Sequence, residues 1–151
     1  MLKQGSLLES TSLLDSTDFE KATIYISEYN AGGATGFIIN QLFPHRLNEL
    51  EEFSHARPLR LYKGGPVETE KIFMLHRQPQ LVTGGNFITP NLCAGGDLHA
   101  AVEAINNGRI PESDIKLFVG YCGWDAGQLE AEIGDGSFRL LNQDGFELFG
   151  D

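Results

Sequence analysis

The alternation of apolar and polar positions points first to strands. Residues 21–29 are rich in β-branched and aromatic side chains, Asn30-Ala31-Gly32-Gly33 breaks them, and 34–40 resume an extended apolar run. The pattern predicts a β-hairpin over 21–40 with a four-residue loop, preceded by a strand over 5–9. Leu47, Leu50 and Phe53 recur every third residue and predict a short amphipathic helix, which Pro58 stops. Two more strands are expected at 59–62 and 71–76, joined by a sharp loop at Gly64-Gly65-Pro66-Val67. Residues 80–83 and 86–89 flank Gly84-Gly85 and predict a hairpin with a two-residue turn, ended by Pro90.

Asp97 stands where a helix N-cap belongs, followed by a stripe of Leu98, Ala101, Val102 and Ile105, with Gly108 at the C-terminal position. Residues 115–119 are almost continuously apolar, the pattern of a strand covered on both faces at the centre of a sheet. Gly120-Tyr121-Cys122-Gly123 predicts a chain reversal there. Asp125 and Gln128 have capping-box spacing for a short helix through Ile133, and 137–143 with 146–149 predict two closing strands about Asp144-Gly145. Hairpins of this kind exclude a repeated strand-helix alternation, so the fold class is α+β, with a mixed, hairpin-rich sheet and two or three short helices.

Composition narrows the function classes. A length of 151 residues fits one domain, and 41% apolar with 21% charged residues is ordinary globular usage. Eleven Lys+Arg against 21 Asp+Glu give a net charge of -10, which argues against a nucleic-acid backbone as partner. The first residues contain no apolar stretch suited to a signal peptide or a spanning helix, so a cytoplasmic protein without a membrane is expected, with Cys93 and Cys122 as reduced thiols. From residue 117 to 151 there are seven Asp/Glu against Arg139 alone, whereas Arg46, Arg57, Arg60, Lys63, Lys71 and Arg77 gather in the middle third. That middle region is either an ordinary solvated face or a basic patch able to meet an acidic partner or another copy of the chain, which leaves an oligomer open.

Phosphate-loop and dinucleotide motifs are absent, and His45, His55, His76 and His99 show no metal-ligand spacing, so neither a metal nor a cofactor is expected. The richest segment is 120–130, where an apolar strand hands over through glycines to a helix start. Backbone N–H groups there could hold an anion and lower the pKa of Cys122; with His76 as base, this would be a Cys-His pair of a thiol-dependent, hydrolase-like enzyme. Against it, Asp125, Glu130 and Glu132 crowd the same helix; the other reading is a small buried thiol closing a turn beneath Trp124. Cys122 and His76 are thus the catalytic candidates. The candidate binding surface joins Gly64, Gly65, Pro66 and His76 to Tyr121, Gly123, Trp124, Gln128 and Glu130, on the premise that the 64–67 and 120–128 segments meet.

Several blocks, in order along almost the whole chain, resemble the YqgE/AlgH family of bacterial cytoplasmic proteins. They are Gly5-Ser6-Leu7-Leu8 with Leu14-Asp15 and Phe19; Gly36-Phe37-Ile38-Ile39-Asn40; Tyr62-Lys63-Gly64-Gly65-Pro66-Val67 with Leu75-His76; and Gly120-Tyr121-Cys122-Gly123-Trp124 followed by Gly127-Gln128-Leu129-Glu130-Ala131-Glu132-Ile133. The resemblance implies a single domain over 1–151 whose bifurcated sheet folds into a pseudo-barrel, and it brings no reaction, cofactor or catalytic residue. Some members carry a name tied to transcriptional regulation of exopolysaccharide synthesis, which makes a transcription-linked regulator one reading; the net charge favours a route through a protein partner over DNA. Three departures stand out. Cys122 occupies a position more typically Ala or Ser, Ser10-Thr11 replaces an acidic residue and proline, and the chain ends where members usually continue into a closing helix. The expected function is a non-enzymatic binding or regulatory module acting through a protein partner or a small ligand.

Overall fold

The computed structural model describes residues 2–141 and 148–149. Among them run ten strands: β1 (Leu7–Ser10), β2 (Thr23–Asn30), β3 (Gly33–Ile38), β4 (Leu42–Arg46), β5 (Arg60–Lys63), β6 (Val67–His76), β7 (Asn86–Thr89), β8 (Leu92–Ala94), β9 (Ile115–Asp125) and β10 (Phe138–Leu141). Two α-helices, α1 (Leu98–Asn106) and α2 (Gln128–Gly134), and short 3₁₀ turns complete the fold. This is the α+β class read from the sequence.

The long strand β9 organises the sheet. Along one edge it pairs with β6 from Ile115 to Tyr121. Along the other it pairs first with β5 in parallel, through residues 117–119, and then with β3 antiparallel, through residues 122–125. The sheet therefore forks at β9, and its main path runs β10-β1-β2-β3-β9-β6-β8-β7 without closing. The chain just before β1 reaches β7 at the far end of this path, where the Gln4 side chain donates to the Ile88 carbonyl at 3.5 Å.

A slip at Gly120 lets one strand serve three cores. Leu117 and Val119 face one side, toward the core capped by Ala101, Val102 and Ile105 of α1. Phe118 faces the other way, where Leu7, Tyr25 and Phe37 from one half of the sheet meet Leu75, Ile88 and Leu92 from the other. Strict alternation would return Tyr121 to the side of Val119, yet it packs with Phe118, while Cys122 and Trp124 enter a third core with Ile24, Ile26, Leu129 and Phe138. Gly120 sits at φ +74°, a left-handed kink opposite the irregular stretch of β6 between Val67 and Ile72, and shifts the alternation by one residue.

That kink corrects one expectation: 120–123 continue β9 instead of reversing the chain, because the strand passes from β6 at Tyr121 to β3 at Cys122 without losing its partners. Three more expectations change. The hairpin over 21–40 forms, but Asn30 pairs with Gly33, so its loop has two residues, not four. The spacing of three at Leu47, Leu50 and Phe53 belongs to two successive 3₁₀ turns, Leu47–Glu49 and Glu51–Phe53, in which residues three apart eclipse one another. No hairpin forms about Gly84-Gly85; β7 pairs instead with β8 across Pro90-Asn91, so the proline expected to end the ribbon starts its turn.

The helix expected from Asp97 is α1: the Asp97 side chain accepts from the Ala100 N–H at 3.0 Å, and Gly108 follows the C-cap at φ +75°. For the helix expected from Asp125, the N-cap is Gly127, while Gln128 reaches back to accept from the Asp125 N–H at 2.9 Å. Of the two closing strands, β10 covers the first as far as Leu141; the expected turn at Asp144-Gly145 lies outside the described residues, and Leu148-Phe149 form a turn. No helix among the described residues is long and apolar enough to cross a membrane.

Candidate functional site

The segments 64–67 and 120–128 do meet, but backbone lies directly on backbone. The Gly64 N–H donates to the Val119 carbonyl at 2.9 Å, and the Gly64 carbonyl accepts from the Ile38 N–H at 2.8 Å and from the Cys122 thiol at 3.4 Å. A side chain at Gly65 would collide with the Tyr121 backbone, and one at Gly64 would come within 2.8 Å of Phe118 Cβ. Gly64, Gly65 and Cys122 are buried, so what brings these segments together is close backbone packing. The glycine pair is there because two strands converge at the fork of β9.

The polar residues of the next block satisfy one another. Trp124 Nε1 donates to Glu132 Oε1 at 2.9 Å, and Gln128 Nε2 donates to Glu132 Oε2 at 3.0 Å. The Tyr29 hydroxyl donates to Glu130, which holds that carboxyl below its ordinary range and raises the phenol. Together these bonds tie α2 to β9 and β2. Pro66, Gly123, Gln128 and Glu130 are exposed, and Tyr121 is half-buried.

The proposed catalytic pair is not assembled. His76 pairs with Ile115 at one end of β9, and Cys122 lies seven residues along the same strand, about 23 Å at the usual strand rise. Burial pushes the Cys122 thiol up to about 12, with a smaller opposing effect of the Ile38 backbone. His76 is fully buried; its Nδ1 accepts from the Gln78 N–H at 3.0 Å, and among the described residues its Nε2 makes no hydrogen bond of acceptable geometry. Burial lowers its pKa, and the Gly95 backbone resists only in part. Beside it, the carboxylate of Asp114 accepts from Arg77 Nε at 2.6 Å and from Gln78 Nε2 at 2.5 Å. Among the described residues, no group of three or more His, Cys, Asp or Glu is placed to hold a metal ion.

Open space lies elsewhere. A groove of about 590 Å³ runs between the 3₁₀ turns, β6 and α1, floored by Phe43, Leu50, Phe53, Ile72, Leu98 and Val119 and rimmed by Glu51, Glu52 and Glu70. Ile72 and Leu98 also line a second cleft of about 490 Å³, edged by Glu28 and floored by Phe37 and Phe73. The sequence reading missed this groove because it draws on five separated segments. Its only sequence signal is that Phe43, Leu50 and Leu98 border apolar stripes and remain half-buried. A third cleft of about 580 Å³, at the open end of the sheet, is lined in part by Tyr25, Arg77, Asn91 and Phe149.

The model of the AlgH-like family matches residues 6–150. The chain belongs to that family. This AlgH-like chain is 32% identical to a UPF0301 protein of Chlorobaculum tepidum over 151 residues, covering all of this chain and 81% of that protein. It is also 32% identical to a UPF0301 protein of Pelodictyon phaeoclathratiforme, over 99% of this chain and 80% of the relative. Among solved structures, the solution structure of the AlgH protein from Pseudomonas aeruginosa superposes with a TM-score of 0.76 at 27% identity, over 97% of this chain and 80% of that one. A Corynebacterium diphtheriae protein shares the fold, with a TM-score of 0.74 at 21% identity over 100% of this chain and 85% of that one.

Proposed function

We propose that this AlgH-like domain is a non-enzymatic binding module that acts in the cytoplasm through a protein partner. One observation carries the reading: the open groove combines an apolar floor with an acidic rim, the make-up of a protein-binding surface more than of a reaction centre. The two residues considered for thiol chemistry are buried and lie apart, His76 beside the start of β9 and Cys122 seven residues along it, and the glycine and tryptophan motifs are occupied in packing. Two buried free thiols suit a reducing compartment.

The test is retention of a partner from a bacterial lysate on immobilised protein. Retention is expected for the native chain and for Asp15→Lys, and loss for Ile72→Glu and Leu98→Glu variants whose circular dichroism matches the native chain. A retained set unchanged by both groove substitutions, or no retained protein at all, overturns the reading.

A further inference from the structure

We infer that the groove between the 3₁₀ turns, β6 and α1 takes an apolar segment of the partner flanked by lysine or arginine. The inference rests on the binding-module reading and names the partner's chemistry. The floor supplies the apolar half of the argument: Phe43, Leu50, Ile72 and Leu98 are half-buried in the free chain, so each has apolar surface left to lose. Ile72 and Leu98 line both clefts, so the two adjoin there.

Charge supplies the other half. Glu51, Glu52 and Glu70 rim one cleft and Glu28 the other. The cations facing the same space are already answered: Lys71 Nζ lies 2.8 Å from Glu68, and His99 Nε2 lies 2.8 Å from Glu52. The positive end of α1, which opens at Leu98, is capped by the carboxylate of Asp97. The groove thus presents net negative potential around a greasy floor. The rim holds more carboxylates than Lys71 and His99 can answer, so an acidic segment would meet repulsion and a purely apolar one would leave that excess charge in place, whereas a cationic one pairs with it as its apolar residues dock.

The experiment is fluorescence anisotropy on the full chain with two labelled peptides, one of leucine, valine and lysine and its counterpart with glutamate in place of lysine. The lysine peptide should bind saturably and weaken about tenfold as salt rises from about 0.05 to about 0.5 M, while the glutamate peptide should not bind. The double variant Glu51→Lys with Glu70→Lys, both at exposed positions, should lose the lysine peptide by at least tenfold and gain the glutamate one. Asp15→Lys with Asp18→Lys changes the net charge equally, far from the groove, and should leave binding within twofold. Equal losses in both double variants would reduce the effect to bulk attraction and overturn the inference, as would no binding of the lysine peptide to the native chain. If the lysine peptide fails while a lysate partner is still lost on Ile72→Glu, only the assigned partner chemistry falls; if no partner is retained either, the underlying reading falls with it.

Discussion

The indole of Trp124 and the carboxylate of Glu132 are joined by a 2.9 Å hydrogen bond that fastens the end of β9 to α2. The ring also meets Phe138 edge-on, with centroids 5.8 Å apart at 84°, so the same side chain links β9, α2 and β10. Replacing Glu132 with Ala leaves a nearly buried indole N–H without its acceptor and should cost about 1–3 kcal/mol. Trp124 is the only tryptophan in the chain, so urea unfolding followed by its fluorescence reads the loss directly. A Glu132→Ala midpoint equal to that of the native chain would show that the bond contributes nothing.

The convergence of Gly65 with Tyr121 gives a second expectation. Gly65→Ala places a methyl group inside the Tyr121 backbone and should destabilise by at least about 3 kcal/mol. Gly134→Ala is the control, because nothing lies within 4 Å of a Cβ there and alanine is the better helix former, so that change should be neutral or stabilising by up to about 1 kcal/mol. Thermal melts of the two variants should move in opposite directions or, for Gly134→Ala, not move at all.

Cys122 should resist alkylation in the folded chain at pH 8, and both thiols should react on unfolding in urea. Its raised pKa also sets a pH dependence. The folded thiol holds its proton up to about 12, whereas the unfolded one releases it near the ordinary 9.0, so above pH 9 the unfolded state binds fewer protons and stability falls as pH rises. Cys122→Ala should flatten that alkaline decline.

His76 has the opposite linkage. Its pKa is lowered from 6.5, so as pH falls below that value the unfolded state gains a proton that the folded state refuses, and stability drops. At Asp114, burial pushes the carboxyl up, but the bonds from Gln78 and Arg77 outweigh it and hold the group below 3.8, so its contribution is lost only in stronger acid. Stability against pH should therefore fall in two stages, and His76→Phe should remove the first and leave the second. A single acid transition in both proteins would contradict this assignment.

Most strands and α1 were legible because each writes a local signature: β-branched runs at Ile24 and Ile26, the Asp97 cap, and the apolar stretch from Leu117 to Val119. Where sequence and structure differ, long-range pairing outweighed local turn chemistry. Gly84-Gly85 looked like a hairpin turn, but β7 found β8 instead, and the glycines of 120–123 looked like a reversal because nothing local reveals that β3 and Val67 wait on either side. The candidate site followed the same rule. Its segments meet as expected, yet their glycines mark how closely backbones pack, and sequence alone does not distinguish a glycine needed for packing from one needed for a ligand. The groove was hidden because Phe43, Leu50, Ile72 and Leu98 become neighbours only once the sheet has folded.

The position of β9 also shapes how the chain must be made. β3, β5 and β6 all dock on a strand that begins at Ile115, so all three leave the ribosome before the element that unites them exists. Until then the edges of β3 and β6 stay open to any extended chain nearby, and assembly awaits distant contacts instead of proceeding hairpin by hairpin. Such a topology makes the docking of β9 the step that lets the cores close, and the unpaired edges that precede it the chain's exposure to aggregation.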